Sequence, residues 1–369
     1  MNVLISSGES SGDRLGAALM REMRQRRADL SFLGMGGPRM RAAGLETAVE
    51  SEAISVMGVF EVIGKLPRIW TSHRRLLRAA EEKNPGLAVL VDFPDFHFRL
   101  GKALARRGIP VVYYVSPQVW AWRRGRVRVM RSFVRRMITL FPFETDIYRE
   151  AGIDAVCAGH PLADEVEMEL AGSGQIPRDP ARRRLVLMPG SRPAEVRRHW
   201  PVLRDAVRLL SGTTPIEAFV VPAPGLDHGL FPGAQAEGIS FFSGNVDGLL
   251  ASCDVLLVAS GTSTLQGALC GAPMVVVYRT SPATFALARR LVRVSHVAMA
   301  NIVAGERIAP ELLQDEATPE RIAGEASRLL RDPAASERMR EAWRTVWDRL
   351  GPRNAAAHAA EAVLEVLPA

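Results

Sequence analysis

With 369 residues the chain is long for one hydrophobic core, and two α/β domains are expected. Its 47 % hydrophobic and 24 % charged content fits a globular protein, and no run nears the ~20 apolar residues of a membrane span. The net charge of +7, from 47 Lys+Arg against 40 Asp+Glu and nearly all arginine, suits an anionic ligand or membrane, or a solvated face; no recognised module supports a nucleic-acid partner.

The apolar run Val3–Ile5 reads as a buried parallel strand. It leads through the turn SGESSGD (7–13) into a helix over Leu15–Arg26. A helix start of this kind presents N–H groups and a positive dipole end, which suits phosphate or carboxylate. Gly8-Glu9-Ser10-Ser11-Gly12 also fits the nucleophile elbow of hydrolases, although no later histidine comes with a convincing acid. GMGGPRM (34–40) lacks the third glycine of a dinucleotide loop and is expected to form a tight turn near the cleft between the domains. Val59, Phe60, Val62, Ile63, Leu66, Ile69 and Trp70 recur at helical spacing ahead of Arg74, Arg75 and Arg78. Gly64 and Pro67 should split that stretch into two short helices. Apolar residues beside a basic cluster suit the headgroup layer of an anionic membrane, or an ordinary helix packed on the sheet. Arg123–Arg136 carries the same ambiguity.

The strand Leu87–Val91 delivers Asp92 and Asp95 to its C-terminal end, where a carboxylate points into the ligand crevice of an α/β domain. One of them could be a general base while the other caps the next helix or orients its partner; both could equally be helix-capping acids. A helix over Leu100–Arg107 and strands Val111–Val115 and Met137–Leu140 follow, then a Gly/Pro-rich linker over 171–180. The pattern restarts with strands Leu185–Met188, Ala218–Val221, Val255–Val258 and Met274–Tyr278, and the tail from about Glu337 is helical. Gly190, Ser191 and Arg192 after one strand, and Ser260, Gly261 and Thr262 after another, would together cradle a diphosphate, Arg192 offsetting its charge. The whole predicts two Rossmann-like, doubly wound parallel sheets facing a cleft, over residues 1–170 and 181–344. Cys157, Cys253 and Cys270 lack metal-type spacing, which excludes a zinc site and a disulfide framework and points to a reducing compartment. Without a basic-flanked leader, a cytoplasmic protein is expected, with peripheral membrane contact left open.

These segments, taken in order, resemble the lipid-A-disaccharide synthases, inverting glycosyltransferases of two Rossmann domains (GT-B type). The matching pieces are SGESSGD (7–13), GMGGPRM (34–40), VMGVFEV (56–62), DFPDF (92–96), YVSPQVWAWR (114–123), FPFE (141–144) and GHP (159–161). MPGSR (188–192), SGT (260–262), PMVVVYR (273–279) and NIVAG (301–305) continue the series. The resemblance implies transfer from UDP-2,3-diacylglucosamine to 2,3-diacylglucosamine 1-phosphate (lipid X), with no metal or other cofactor, at the cytoplasmic face of an anionic inner membrane. It implies Asp92 as the base for the acceptor hydroxyl, with Asp95 as the second carboxylate of the catalytic set. Gly8, Glu9, Ser11, Asp13, Gly190, Ser191, Arg192, Ser260, Gly261, Thr262, Gln266, Tyr278 and Asn301 would line the substrates. Val59, Phe60, Val62, Ile63, Leu66, Ile69, Trp70, Arg74, Arg75 and Arg78 would meet acyl chains or bilayer. It further implies that C-terminal helices, about 345–369, return to the first domain, and that a homodimer with C-terminal exchange is possible. One position departs: Gln266 stands where these transferases usually have a glutamate for the donor ribose, and an amide still accepts a hydrogen bond. Another UDP-sugar transferase, a UDP-sugar epimerase and a silent nucleotide-sugar-binding protein remain as alternatives; Asp92 and Arg192 together argue against the last.

Overall fold

The computed structural model of the chain describes residues 1–53, 59–121, 125–172, 174, 176–282, 284–285 and 295–368, with the backbone alone at 53 and 59–66. The chain forms two compact units, residues 1–161 with 351–369, and residues 162–350. In the first, the described strands are β1 (Asn2–Ser7), β2 (Ser31–Gly36), β3 (Leu45–Glu50), β4 (Leu87–Val91), β5 (Val111–Tyr114), β6 (Arg136–Thr139) and β7 (Asp154–Cys157). They lie parallel in the order β3-β2-β1-β4-β5-β6-β7. Helices α1 (Ser10–Arg26), α2 (Pro38–Ala42), α3 (Val59–Lys83), α4 (Pro94–Ala105), α5 (Arg126–Met130) and α6 (Pro142–Glu150) connect them. Strands β1 and β4 are apolar throughout their centres and fully buried there, as a sheet covered on both faces requires.

The chain crosses into the second unit within α7 (Pro161–Gly172). There β8 (Arg183–Met188), β9 (Ile216–Val220), β10 (Ile239–Phe241), β11 (Val255–Ala259), β12 (Met274–Tyr278) and β13 (Glu311–Leu313) lie parallel in the order β10-β9-β8-β11-β12-β13. Helices α8 (Pro193–Ser211), α9 (Val246–Ala251) and α10 (Thr262–Leu269) bear on the site. Two Rossmann-like parallel sheets are thus present, as the alternation of apolar runs and helices predicts.

The last helix, Ala355–Leu364, packs on α1 in the first unit. Arg136 of β6 ties it down by donating to Ala362 O at 3.1 Å. Its approach depends on bare backbone: a Cβ on Gly159 (φ +88°) would stand 1.9 Å from Pro352 O.

The structure corrects two local expectations. Gly34 and Gly36 do not form a tight turn but lie within β2. At Gly34 (φ +142°) a Cβ would sit 2.1 Å from Ile5 O of the neighbouring strand, so glycine there allows close packing in the sheet. The stretch from Val59 is one continuous helix, not two. Proline at 67 forfeits one helical hydrogen bond, but the burial of Leu76 and Ala80 farther along α3 offsets it.

Candidate active site

In open α/β sheets, ligands bind beyond the carboxyl ends of the strands, at the point where strand order reverses. The first sheet reverses between β1 and β4, the second between β8 and β11. The residues that follow those four strands are Gly8, Asp92, Pro189 and Ser260.

Asp92 and Phe93 both adopt the left-handed region, with φ of +52° and +51°. Two consecutive non-glycine residues there cost about 1–3 kcal/mol each, so surrounding bonds must hold them. The Asp92 N–H donates to Tyr114 O at 2.8 Å. The Asp92 carbonyl accepts from Tyr113 Oη at 2.8 Å and from His97 Nδ1 at 2.6 Å. The Phe93 ring fills the place of a side chain at position 8: a Cβ on Gly8 would stand 2.4 Å from its Cδ1. Glycine at 8 therefore admits this turn. The Asp92 carboxyl is held up at about 6, first because burial disfavours its charge and then because the Glu9 carboxylate lies near. A carboxylate poised near neutrality at a switch point is suited to take a proton.

Ser6 Oγ meets His97 Nε2 at 2.8 Å, so that Ser6, His97 and Asp92 imitate the order of a hydrolase triad. The likeness fails on two counts. Ser6 is fully buried, and His97 touches the main-chain carbonyl of Asp92 rather than its carboxylate. Ser10, the serine of the elbow pattern, is exposed and lies outside this relay.

In the second unit, β8 runs into Pro189 and the Gly190 turn (φ +126°) before α8 begins. Glu195 accepts from the N–H groups of Ser191 and Arg192 at 3.2 and 3.3 Å and pairs with the Arg192 guanidinium at 3.1 Å. The expectation that these amides stand open to a diphosphate is corrected, because the chain's own carboxylate partners them. What reaches outward is the Arg192 guanidinium, 77 % exposed. His199 braces the turn: Nδ1–H donates to Pro189 O at 2.8 Å, and Nε2 accepts from Arg279 N–H at 2.9 Å, tying the ends of β8 and β12. Tyr278, at the end of β12, lies with its ring 6.0 Å from that of His199. After β11, Ser260 Oγ donates to Val297 O at 2.8 Å, and Gly261 (φ +150°) and Thr262 lie exposed at the start of α10. Gln266, one turn on, donates Nε2 to Oδ1 of the buried Asp247 at 2.7 Å, which turns its Oε1 into the acceptor available to a ligand.

The sequence profile of a family described as lipid-A-disaccharide synthetase matches residues 3–363. The chain belongs to that family. It is 41 % identical over 372 residues to the lipid-A-disaccharide synthase of Geobacter metallireducens, covering 99 % of this chain and 97 % of that one. Its identity to the synthases of Myxococcus xanthus and Anaeromyxobacter dehalogenans is 42 % and 44 %, at the same coverage. Among solved structures it is similar to a kitacinnamycin glycotransferase (TM-score 0.65, 18 % identity, 100 % of this chain and 99 % of that one). It is also similar to the calicheamicin glycosyltransferase (TM-score 0.63, 19 % identity, 99 % and 98 %). A UDP-GlcNAc 2-epimerase from Neisseria meningitidis gives 0.61 at 11 % identity, over 100 % and 99 %. At such identities these structures share the fold alone, that of the GT-B glycosyltransferases. With its family, the chain is an enzyme, a glycosyltransferase of lipid A biosynthesis, and the epimerase alternative is not favoured.

Several residues assigned to substrate by family likeness are occupied inside the fold. Asp13, buried in the first turn of α1, accepts from the N–H groups of Gly37, Arg39 and Met40 at 2.7, 3.0 and 3.1 Å and so caps α2. Asn301 is fully buried. Its amide oxygen accepts from Ile308 and Ala309 N–H, and its nitrogen donates to Ala309 O and Glu311, which leaves nothing for UDP. Asp95 is 84 % exposed in the first turn of α4 and pairs with Arg126, while the acid that acts on Asp92 is Glu9; a catalytic role for Asp95 is corrected to a helix-end ion pair. Glu9 and Ser11 are exposed around the start of α1, beside the buried Gly8.

In the amphipathic stretch, the side chains of Val59, Phe60, Val62, Ile63 and Leu66 lie outside the described residues. Ile69 packs against the core and leaves the membrane-facing set. Trp70 is 56 % exposed with the Arg74 guanidinium 3.4 Å over its ring, and Arg75 and Arg78 are exposed. Among the described residues no helix is long and apolar enough to cross a membrane.

Sequence reasoning missed His97, Tyr113, His199, Asp247 and the buried Glu144, which accepts from Trp120 Nε1 at 2.9 Å and is pushed up to about 7 by burial. For His97 a signal existed: it stands beside Phe96 and three residues before Leu100, on the apolar face of its helix.

Proposed function

We propose that the chain transfers the sugar of UDP-2,3-diacylglucosamine to lipid X with inversion at the anomeric carbon, and that Asp92 is the base. The observation that carries this reading is the strained, partly desolvated turn that holds the Asp92 carboxylate near neutrality. As the acceptor oxygen bonds to the anomeric carbon, its proton passes to Asp92. The bond from that carbon to the diphosphate breaks, and its electron pair leaves on UDP. In the second unit, the Arg192 guanidinium and the Gly261–Thr262 end of α10 are positive ends of the kind that suit a diphosphate. Gln266, its amide nitrogen committed to Asp247, offers Oε1 to a donor hydroxyl, which is the chemistry a glutamate would supply there. Purified protein, supplied with the two lipids separately and together, with and without a chelator, tests the reading. UDP and disaccharide should form only when both lipids are present, at the same rate in chelator. UDP release from the donor alone, or loss of turnover in chelator, would contradict it.

Trp70 and the arginines of α3 are the surface on which this enzyme meets anionic lipid in our reading. The triple change Arg74→Glu, Arg75→Glu, Arg78→Glu should weaken binding to phosphatidylglycerol vesicles by about 1 kcal/mol per lost cation or more, roughly a hundredfold in all. Binding within twofold of the parent in a sedimentation assay would remove α3 from the membrane face.

A further inference from the structure

We infer that His97 is a positioning residue for Asp92, acting from beneath the β1 and β4 strand ends to hold the left-handed turn that presents the carboxylate. The inference rests on the reading of Asp92 as the base.

The geometry assigns each ring nitrogen its role. A main-chain carbonyl can only accept, so the 2.6 Å contact with Asp92 O requires the proton on Nδ1. In the neutral ring Nε2 is then bare, and it accepts from Ser6 Oγ–H at 2.8 Å. The ring is fully buried, and burial holds its basicity down at about 4, so it stays neutral while Asp92 titrates. Tyr113 Oη gives the same carbonyl its second hydrogen bond, at 2.8 Å. These two bonds and the Asp92 N–H bond to Tyr114 O oppose the tendency of Asp92 and Phe93 to relax out of the left-handed region. Of the charged and titratable groups around this turn, Glu9 after β1 acts on the Asp92 carboxyl, while Tyr113 in β5 feels Asp92, Tyr148, Arg126 and Asp95. The second sheet has a similar device, in which His199 of α8 donates to Pro189 O and accepts from Arg279 N–H.

The test uses the two amides that imitate one ring nitrogen each. Asparagine places its Nδ2–H where Nδ1–H stands and keeps the bond to Asp92 O. Glutamine reaches instead toward Nε2 and Ser6. His97→Asn should keep kcat within about threefold of the parent. His97→Gln should lower kcat by about 10²-fold, with KM for both lipids within about twofold, because an ångström's displacement of the base costs about that much. Tyr113→Phe combined with His97→Gln should fall to the level of Asp92→Ala. The inference is overturned if the asparagine and glutamine variants have equal kcat, or if the loss appears in KM. An active Asp92→Ala would sink the reading of Asp92 as the base and the inference with it, whereas an inactive Asp92→Ala beside equal amide variants would sink the inference alone.

Discussion

Replacing Asp92 by asparagine is expected to lower turnover by about 10²–10⁴-fold, the range for loss of a general base, while making the folded protein more stable. The two effects share a cause. Burial and the Glu9 carboxylate raise the Asp92 carboxyl from 3.8 to about 6, so the native chain holds this proton where the unfolded chain has released it. Raising the pH from about 4 to about 6 therefore costs stability, and above that window the full cost is present. Asparagine never ionises, and its side chain also tolerates the φ of +52° better than most. At pH 7 the variant should gain about 1–2 kcal/mol, the shift discounted for the partial exposure of the carboxylate. That corresponds to a rise of about 2–6 °C in melting temperature. At pH 4.5 most of the gain should vanish, because the parent is then protonated in the folded state. Thermal melts at the two pH values check the sign. A variant less stable at pH 7, or one with parental turnover, would contradict the account.

The second large effect concerns the return of the chain to its first unit. Gly159→Ala would drive a Cβ to 1.9 Å from the main-chain oxygen of Pro352, at a φ of +88° that alanine resists. A backbone atom cannot step aside as a flexible side chain does, and the reciprocal position is no freer: a Cβ on Gly351 would meet Cys157 Sγ at 2.8 Å. The substitution should cost more than about 4 kcal/mol, beyond the ordinary range for point changes. Hydrogen exchange should then show the helix Ala355–Leu364 losing its protection while β1 and β4 keep theirs. Parental protection of that helix would mean that the junction yields more easily than its geometry implies.

The interior strands were legible because a parallel strand buried on both faces is written as an unbroken apolar run: Leu87–Val91 and Val255–Val258 lie within β4 and β11. The strands that escaped are of other kinds. β3 (LETAVE) mixes apolar with polar residues at a sheet edge, and β7, β10 and β13 are only three or four residues long. β2 carries two glycines that imitate a turn, and their purpose is visible only in the fold, where Gly34 lies against Ile5 of the next strand and Gly36 against Met40 and Leu45. The site divides in a similar way. Gly8 and Asp92 were legible because strand-end positions follow from the strands themselves. The strain at Asp92 and the part played by His97 were not, since both depend on contacts between elements distant along the chain. Asp13 and Asn301 show the opposite error. Each is a polar residue within a family motif, and each is consumed by main-chain groups that would otherwise be buried without partners.

Transfer by this route requires one side chain to accept one proton, and the pH dependence of kcat/KM for the lipid X acceptor reads that event most directly. Between pH 4.5 and 8.5 the parent enzyme should show a rate that climbs with pH to a plateau, with its midpoint near the value of about 6 set by burial of Asp92. A flat profile, or a climb completed by pH 5, would show that the base is some other group.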